Sequence, residues 1–585
     1  MNVIFVNSIE FSREPQDLPL GIMSLATVCN LEKDIHAKIV DFGHLFSNGL
    51  LMKSYNLDEN IETMCSYLMN LGADIICFYS MCSSYHLNVM LSKKIKERSA
   101  HTIVFFGGPH ASLTAEDSLR AFPWVDYIGV DEGEKTIVPL LHGAISGRVE
   151  NLPGVAYRAQ NGDIIVNRAP ICDVNTLPFI DYSIEGIKIG DSVPIDVGRG
   201  CPFNCAYCST KTFWKQCFRL KDIERIVFEI KQIKQQYGVS RFSFVHDLFT
   251  VNKQNILEFC EKILDEKISI TWSCSARLDT LTDELLEKMS DAGCRDIFLG
   301  IETGSSKMQK IINKNLDLNL IDKLIFFVNK YKSIDFTCSF MYGFPLETID
   351  DLKETLDLIR RTWKSGVTSI QLHKVTFLPG TALYEKYNGQ LKYDPLCTDF
   401  TEQSYINDEA IEFITNNKSI FPQFYTIPSV ATQFPFLNYF VIYIYQTIDT
   451  YMPFTSSFLS SIVGDDILSL YNSFEKSVSD LVQKLSLSGV AYLQKAYDTG
   501  LIFDTILEYL SVVLLPRYSY IYEVSKFEID SIRFVRGEAL VMHKHYSFDV
   551  LSLMGEGVLK SNSCPKSVDI LLEKKDEDII SAKYI

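Results

Sequence analysis

The sequence predicts an α/β protein with two parallel sheets and a mixed, mainly helical C-terminal region. Short apolar runs alternate with amphipathic helical patterns through the first 145 residues, and the alternation resumes at Ser192. Strands that alternate with helices in this way are typical of βαβ units, whose strands are parallel. Polar or Gly-rich segments follow several predicted strands, as they do where a ligand binds beyond the carboxyl ends of a sheet.

Residues 1–145 are predicted to form a doubly wound, flavodoxin- or Rossmann-like domain. Its five predicted strands are Val3–Val6, Lys38–Phe42, Asp74–Tyr79, Ile103–Phe106 and Asp126–Val130. The segments that follow the third, fourth and fifth of them are Ser80–Ser84, Gly107–His110 and Gly129–Glu134. Because parallel strands end at one edge of the sheet, we expect these three segments to surround a single ligand.

Residues 146–190 are predicted to form a hairpin and a linker. Asn161-Gly162 separates two short apolar segments, which is a strong signal for a two-residue hairpin turn. Leu177-Pro178 follows and indicates an extended crossing segment. We therefore expect this stretch to be the boundary between the two parallel sheets.

Residues 191–385 are predicted to form a partial (β/α)6 barrel, a variant of the TIM barrel. The six predicted strands are Val193–Val197, Arg241–Val245, Ile268–Ser273, Asp296–Ile301, Asp335–Met341 and Ile370–Thr376. The helix between the first two strands has a clear apolar stripe, formed by Ile223, Ile226, Val227, Ile230 and Ile233. Parallel barrels have their chemistry at the carboxyl ends of the strands, so the loops that follow these strands are the candidate site.

Residues 386–585 lack this alternation and are predicted to be an accessory or substrate region. Between Lys418 and Asp465 the only charged residue is Asp449. The most apolar run in that stretch, Tyr439–Tyr445, is far shorter than the ~20 residues that a membrane-spanning helix needs. We therefore predict no spanning segment but a buried or substrate-facing aromatic one, of which a buried core is favoured over a pocket wall or a contact with lipid or peptide. A strand-like tail is predicted at Phe534, Val535 and Arg536 and then at Ala539–Met542.

Composition excludes several classes of protein. The 585 residues are 47% hydrophobic and 22% charged, which is typical of a globular chain. The formal net charge of −17 argues against a broad nucleic-acid-binding surface, since phosphate recognition needs clustered Lys and Arg. The fifteen cysteines are an odd number in a long chain, and the N-terminus has no export signal. A reduced, cytoplasmic protein is therefore predicted.

Three cysteines form the most informative motif. Cys201, Cys205 and Cys208 lie on one loop directly after the first predicted barrel strand, with the spacing Cys-x3-Cys-x2-Cys. Three thiolates on such a loop can bind one metal centre, and a [4Fe-4S] cluster held by three cysteines keeps one iron open. The alternatives are a zinc site, with Cys217 as a poorly placed fourth ligand, or structural cysteines in a binding module.

The cysteine loop resembles that of radical S-adenosylmethionine (SAM) enzymes. The resemblance implies that the three cysteines hold a [4Fe-4S] cluster and that Tyr207, before the last of them, lies against the adenine side of SAM. It further implies that Glu302, in the segment after the fourth barrel strand, contacts the ribose or methionine end of SAM.

Two further residues complete the predicted SAM site. Arg277 follows the third barrel strand and is placed to bind a carboxylate bidentately, the alternative being an ion pair with Glu302. The Gly-Gly-Glu motif of many members is absent after the second barrel strand, where Phe244-Val245-His246-Asp247 stands instead. Asp247 is therefore the candidate contact for the methionine amino group.

The N-terminal motifs resemble the cobalamin (vitamin B12)-binding domain of cobalamin-dependent radical SAM enzymes. The residues that the resemblance assigns to cobalamin are Leu18, Gly21, Ser80, Gly107, Gly108, Pro109, Gly129, Glu132 and Gly133. The Asp-x-His-x-x-Gly motif that supplies a histidine ligand to cobalt is missing, so the resemblance implies binding without a protein imidazole. His110 is expected to cap a helix or to make a hydrogen bond.

Together these resemblances imply a cobalamin-dependent radical SAM methyltransferase in peptide or natural-product maturation. A 5′-deoxyadenosyl radical would activate the substrate, and methylcobalamin would donate the methyl group. The implied partners are a flavodoxin- or ferredoxin-type reductant and a small-molecule or peptide substrate, with a lipid also open. One alternative is cobalamin-assisted cyclisation or rearrangement without methyl transfer. Another is methylthiolation, but the N-terminal cysteines Cys29, Cys65, Cys77 and Cys82 lack the clustered spacing that it needs.

Overall fold

The structure is a computed structural model. It describes residues 1–9, 18–54, 56–394, 406–464, 466–485, 502–514, 519–536, 541–546, 568–576 and 579–584. The chain divides into two compact units. The first comprises Met1–Glu347, Thr362–Ser369 and His373–Thr432, and the second comprises Thr348–Arg361, Ile370–Leu372 and Gln433–Ile585.

The N-terminal sheet has seven strands, of which the first five are the predicted parallel ones. Its strands are β1 Asn2–Val6, β2 His36–Val40, β3 Ile75–Tyr79, β4 Ile103–Gly107, β5 Tyr127–Gly129, β6 Val155–Arg158 and β7 Ile164–Asn167. The helices of this part are α1 Leu20–Asn30, α2 Phe42–Ser47, α3 Leu57–Asn70, α4 Tyr85–Arg98, α5 Pro109–Leu113, α6 Ala115–Ala121 and α7 Ile137–Ser146. The strand order is β2-β1-β3-β4-β5-β6-β7. Strand β1 is apolar and buried from Val3 to Val6, which is typical of a parallel strand with both faces covered.

The hairpin between the two parallel sheets belongs to the first sheet. Strands β6 and β7 pair antiparallel, and β6 also pairs antiparallel with β5. Gly162 in the connecting turn has a φ of +89°, a conformation that favours glycine. The sequence predicts the hairpin, whereas its pairing with β5 depends on a long-range contact.

The second sheet is the predicted six-stranded partial barrel. Its strands are β8 Ser192–Asp196, β11 Arg241–Val245, β12 Thr271–Ala276, β13 Cys294–Glu302, β14 Asp335–Tyr342 and β15 Ser369–Lys374, with the short pair β9 Gly198–Arg199 and β10 Arg219–Leu220 beside them. The helices are α8 Thr210–Phe213, α9 Ile223–Tyr237, α10 Lys253–Asp265, α11 Asp283–Asp291, α12 Ser306–Ile311, α13 Ile321–Lys330, α14 Ile349–Lys364 and α15 Ala382–Tyr387. The order β15-β14-β13-β12-β11-β8 follows the chain, so the α/β fold prediction is confirmed.

A segment from the C-terminal region belongs to the first unit. It contains β16 Lys392–Tyr393, α16 Asp408–Asn416, β17 Tyr425–Thr426 and most of α17 Val430–Gln433. Phe421 is fully buried, and its ring centroid lies 5.8 Å from that of Tyr85. His110 Nε2 makes a 2.8 Å hydrogen bond with the carbonyl of Ile420, which confirms the role expected for this histidine.

The second unit is mainly helical and has the predicted aromatic core. Its further elements are α18 Leu437–Tyr439, a π-helical turn Phe440–Tyr445, α19 Gln446–Tyr451, α20 Pro453–Val463, α21 Ile467–Leu485, α22 Ile502–Leu514, α23 Ser519–Arg536, β18 Val541–Tyr546, β19 Val568–Asp576 and β20 Ile579–Tyr584. The rings of Phe440 and Phe474 pack against each other within this core at a tilt of 43°, with ring centroids 5.2 Å apart. Among the described residues, no helix combines the length and apolar composition needed to cross a bilayer.

The predicted strand-like tail is partly wrong. Phe534, Val535 and Arg536 end helix α23, whereas Val541 and Met542 lie in strand β18. The helix forms because Ile521, Val524 and Phe527, spaced three residues apart, lie on one buried face. Short 3₁₀ helices form at Val174–Thr176, Phe249–Val251, Leu278–Thr280, Leu318–Leu320, Asn388–Gln390 and Pro422–Phe424.

Candidate active site

The loop of the three cysteines is fixed at both of its ends. Gly200, directly before the first cysteine, has a φ of +82°, and a Cβ there would lie 2.0 Å from the carbonyl oxygen of Cys217. The amide of Ala206 donates to the carbonyl of Ile312 at 2.8 Å, and the carbonyl of Ala206 accepts from the amide of Leu383, also at 2.8 Å. The loop is therefore held before any cofactor binds.

Asp247, the predicted contact for the SAM amino group, contacts this same loop. Its two carboxylate oxygens accept hydrogen bonds from the amide of Gly200 at 2.8 Å and from the hydroxyl of Thr210 at 3.0 Å. These two donors stand on either side of the three cysteines. Asp247 thus orients the cysteine loop, and a contact with SAM remains a prediction.

The three cysteine thiols do not form a preassembled zinc site in the part of the chain that the structure describes. Burial raises the pKa of Cys201 and of Cys208, and the neighbouring thiols and Asp247 raise both further. Thiols in such a place become thiolates when a cationic centre binds. Within the described residues, no set of three thiols lies within 4.8 Å of one another. Tetrahedral zinc with bonds of ~2.3 Å requires thiolates ~3.8 Å apart, so the zinc alternative is not supported.

Tyr207 and Glu302 form a buried polar group beside the cysteine loop. Burial raises the pKa of Tyr207 well above its usual value, and the carboxylate of Glu302, to which it is hydrogen-bonded, raises it further. Lys314 Nζ lies 2.9 Å from Glu302 Oε1. The backbone of Glu302 is left-handed, with a φ of +72°, at a shift in the register between β13 and β14.

Arg277 has one donor that remains available. Its Nε and Nη2 donate to the carboxylate of Asp279 at 3.0 and 2.7 Å, so the alternative of an ion pair with Glu302 is wrong. Its guanidinium carbon lies 3.9 Å from the ring centroid of Phe203, within the cysteine loop. Nη1 is buried and has no hydrogen-bond partner among the described residues. A buried donor without a partner is costly, so this atom fits the carboxylate that the sequence assigned to Arg277.

A cavity of about 580 Å³ lies between the carboxyl ends of the N-terminal strands and those of the barrel. The N-terminal part contributes several glycines, at which the main chain itself forms the cavity wall. The lining residues that the sequence predicts are Gly21, Gly107, Gly108, Pro109, Gly129, Glu132 and Gly133. The barrel side contributes Ser243, Asp247 and Ser275. A Cβ on Gly133 would lie 2.9 Å from Leu25 Cδ2, so a larger residue here would have to displace the Leu25 side chain.

Two residues of the predicted set do not line this cavity. Ser80 is fully buried, and its hydroxyl donates to the carbonyl of Phe78 and accepts from the side chain of Asn88. Its main chain bonds to Gly107, so Ser80 supports a cavity loop from behind. Leu18 precedes helix α1 and accepts a hydrogen bond from the amide of Leu20 through its carbonyl. For these two residues cofactor contact stays a prediction, since neither of them lines this cavity.

Apart from Glu132 and Asp247, the ionic residues at this cavity were not predicted from the sequence, and among them Arg199 and Glu134 line it. Arg199 donates to Glu132 at 3.1 Å and to Glu134 at 2.5 Å, and Arg219 binds the Glu132 carboxylate through two nitrogens. Trp214 also lines the cavity. One pattern could have revealed this set: residues 199–221 contain five basic residues and no acidic one.

The barrel sequence identifies the family of this region. Residues 195–359 match the sequence profile of the Radical SAM superfamily. These residues form a radical SAM domain. The predicted cluster-binding cysteines lie within this domain, on the loop that follows its first strand.

Proteins similar in sequence to this chain include methyltransferases and cyclases. An uncharacterized methyltransferase of Pyrococcus horikoshii is 27% identical over 63% of this chain and 78% of the relative. The anaerobic magnesium-protoporphyrin IX monomethyl ester cyclase of Rubrivivax gelatinosus is 28% identical over 45% of this chain and 50% of its own length. The hopanoid C-3 methylase of Methylococcus capsulatus is 25% identical over 57% of this chain and 65% of its own length. The chain thus spans less than two thirds of the latter two relatives.

Solved structures with this fold contain the predicted cofactors. The radical SAM methyltransferase TsrM from Kitasatospora setae, with cobalamin and a [4Fe-4S] cluster bound, matches 67% of this chain and 80% of its own, with a TM-score of 0.55. The cobalamin-dependent enzyme OxsB, with aqua-cobalamin and SAM bound, matches 88% of this chain and 79% of its own, with a TM-score of 0.57. Identity is 14% in both cases, so the likeness concerns the fold. The predicted resemblance to cobalamin-dependent radical SAM enzymes is confirmed.

Proposed function

We propose that this protein is a cobalamin-dependent radical SAM methyltransferase. The observation that supports this most is the single cavity that two sheets share. Its N-terminal wall consists of glycine-rich loops suited to a large planar cofactor, and its barrel wall includes Asp247, which holds the cysteine loop. Two cofactors bound at these walls would face one substrate, as a methyl transfer between them requires.

The residues of the chain have distinct tasks in this proposal. Cys201, Cys205 and Cys208 would hold the [4Fe-4S] cluster, and Nη1 of Arg277 would bind the carboxylate of SAM. The glycine loops would receive cobalamin without a cobalt ligand from His110, whose Nε2 is engaged by Ile420. When bound, these cofactors supply a carbon radical and a methyl group.

Methyl transfer is preferred, and cyclisation is the second candidate. Among the relatives, the methyltransferase of Pyrococcus horikoshii matches over more of its own length than the cyclase of Rubrivivax gelatinosus does, 78% against 50%. The cyclase relationship nevertheless supports a reaction without methyl transfer as the alternative. We propose peptides or natural-product precursors as substrates.

A protein reductant and a cytoplasmic location belong to the same proposal. Residues 199–221 and 303–316, which contain and contact the cysteine loop, have no acidic residue in a chain of net charge −17. Exposed Lys307 and Lys310 stand in the second of these segments. The basic side chains of Arg199, Lys215, Arg219 and Lys221 are paired with carboxylates, so the surface that suits an acidic flavodoxin- or ferredoxin-type carrier is the one around Lys307 and Lys310. Each cysteine that the structure describes is a free thiol, which suits a reducing compartment.

The test is anaerobic reconstitution with iron, sulfide and cobalamin, followed by assay with SAM and candidate substrates. The wild type should show a cluster absorption band, form 5′-deoxyadenosine with dithionite or reduced flavodoxin, and give a product heavier by one methyl group in place of hydrogen. The triple variant Cys201→Ala, Cys205→Ala, Cys208→Ala should lose the band and the 5′-deoxyadenosine, because no ligand for iron remains on the loop. Cys217→Ala is the matched control and should retain both.

SAM cleavage by the triple variant would refute the proposal. A product of altered bonding but unchanged methyl count would favour the cyclisation alternative.

A further inference from the structure

We propose that Arg199 is a positioning residue that fixes the cobalamin loop and the cysteine loop relative to each other. The inference rests on the proposed function, because it assigns the two loops to two cofactors. It adds a role for a residue that neither the sequence motifs nor the relatives assign.

The Arg199 guanidinium binds three carboxylates from two domains. Nη1 lies 3.1 Å from Glu132 Oε2, and Nη2 lies 2.5 Å from Glu134 Oε1 and 3.3 Å from Asp196 Oδ2. Glu132 and Glu134 flank Gly133 on the N-terminal cavity loop, whereas Asp196 ends barrel strand β8. Arg199, Glu132 and Glu134 are each less than 10% exposed. Buried charge-assisted contacts of a planar guanidinium are strongly directional.

A second arginine reinforces the same connection. Arg219 binds both carboxylate oxygens of Glu132, at 2.9 and 2.8 Å. Strands β9 and β10 pair Arg199 with Arg219 through their backbones. The indole of Trp214 lies under both guanidinium groups, with 5.6 and 5.7 Å between the ring centroid and their central carbons. The two arginines are thus held as one unit.

The charges in this network balance. Lys221 and Arg225 extend it by binding Glu229, and Lys221 also approaches Asp196. The four acidic members are Glu132, Glu134, Asp196 and Glu229, and the four basic members are Arg199, Arg219, Lys221 and Arg225. Glu132, Glu134 and the nearby Cys172 have ligand atoms within 4.8 Å of one another. Because arginines already neutralise both carboxylates, this group is an ion-pair network rather than a cation site.

Because Arg199 is close to the cysteines in the chain, this network restricts the distance between the Glu132–Glu134 loop and the cysteine loop. Arg199 stands two residues before Cys201, separated from it by the constrained Gly200. A displacement of the Glu132–Glu134 loop therefore acts on the cysteine loop through very few bonds. Reactions that transfer a group between two bound cofactors depend steeply on such distances.

The experiment compares Arg199→Lys and Glu134→Gln with wild type, each fully loaded with cluster and cobalamin. Lysine keeps the charge but cannot bind two carboxylates with a rigid fork, and glutamine removes one charge with almost no change of volume. Arg168→Lys is the matched control, because Arg168 is 59% exposed and binds Asp131 of the same loop at 3.1 Å.

Two readouts test the positioning role. The first is the spin–spin interaction between cob(II)alamin and the reduced cluster in electron paramagnetic resonance, which reports their separation without turnover. The second is the ratio of 5′-deoxyadenosine to methylated product. We expect both variants to alter the spin–spin interaction and to raise the ratio roughly tenfold or more, with the control unchanged.

An unaltered spin–spin interaction together with an unaltered product ratio in both variants would overturn the proposal. If Arg199→Lys does not load both cofactors, the same result in Glu134→Gln alone overturns it. If the wild type forms no methylated product, the proposed function fails, and the spin–spin interaction alone then decides the role of Arg199.

Discussion

The guanidinium group of Arg277 illustrates how far one residue can be assigned from sequence. Its place after the third barrel strand predicts a carboxylate partner. In the structure the nitrogens of the guanidinium group face two different sides, and each side could bind a carboxylate. Asp279 takes one of them, through Nε and Nη2. Nη1 points elsewhere and is left without a partner among the described residues, which agrees with an external carboxylate.

Replacing Arg277 with Lys should weaken SAM binding. The variant loses a charged hydrogen bond worth about 1.5–3 kcal/mol, so the KM for SAM should rise about 10- to 100-fold. The measurement is 5′-deoxyadenosine formation against SAM concentration. Arg295→Lys is the control, because Arg295 donates only to main-chain carbonyls at the start of β13. An unchanged KM in Arg277→Lys would show that Nη1 does not meet SAM.

Other residues show what sequence spacing cannot supply. The three cysteines are adjacent in the chain, so their joint role follows from the motif alone. Asp247 was predicted to meet SAM, yet its carboxylate is engaged by Gly200 and Thr210. Arg199 and Glu134 were not predicted as site residues, because they are 65 positions apart and only the fold brings them together. Contacts of this kind depend on tertiary structure.

The N-terminus of helix α20 faces a buried carboxyl group. Glu528 of α23 accepts hydrogen bonds from the amides of Phe454 and Thr455, at 3.0 and 3.2 Å, and from the Thr455 hydroxyl at 2.6 Å. A negative charge at a helix N-terminus is favourable, but burial disfavours that charge. Burial is the larger effect and raises the pKa of Glu528 to about 7.

This carboxyl should make stability depend on pH. Because its folded pKa is raised above an unfolded value of about 4.3, its contribution to the free energy of unfolding is present at low pH and is lost as the pH rises towards 7. Glu528→Gln cannot titrate and should gain on the order of 3 kcal/mol relative to wild type between pH 4.5 and 8. Thermal unfolding at several pH values measures the difference. Glu412→Gln, an exposed site, is the control, and a parallel pH dependence of Glu528→Gln and wild type would contradict this account.

Element prediction succeeded where a pattern is local. The eleven predicted parallel strands lie within three residues of the observed ones, because the N-terminal strands form short apolar runs between turns and several barrel strands alternate buried and partly exposed residues. Phe534, Val535 and Arg536 were mispredicted as a strand because a short β-branched and aromatic run at a helix end resembles one. The pairing of the β6–β7 hairpin with β5 follows from no local pattern.

Residues near 420 pack against the N-terminal domain, far from them in the chain. Phe421 is fully buried there, with its ring near those of Tyr85, Phe122 and Phe424. Gln423 donates to the carbonyl of Cys82 at 2.9 Å. The sequence placed this stretch in a separate C-terminal region, since no periodic pattern indicates which distant domain an apolar segment covers.

Removing this contact should destabilise the N-terminal domain. Phe421→Ala leaves a cavity in a closed aromatic cluster, so the free energy of unfolding should fall by about 3–5 kcal/mol. Phe326→Ala, at a side chain that is 51% exposed, should have a much smaller effect. Urea unfolding of both variants provides the comparison, and equal losses would show that Phe421 contributes little to the core.

The linker and the hairpin lie at the two edges of the first sheet. The amide of Ile39 on edge strand β2 donates to the carbonyl of Glu185 at 2.9 Å, and Lys38 pairs with Glu185 at 2.8 Å. The opposite edge of the sheet is β7, which has only four residues. A covered edge and a short one offer little template for intermolecular strand pairing. The sheet that lines the cavity therefore leaves few free backbone groups to which a strand of another copy of the chain could pair.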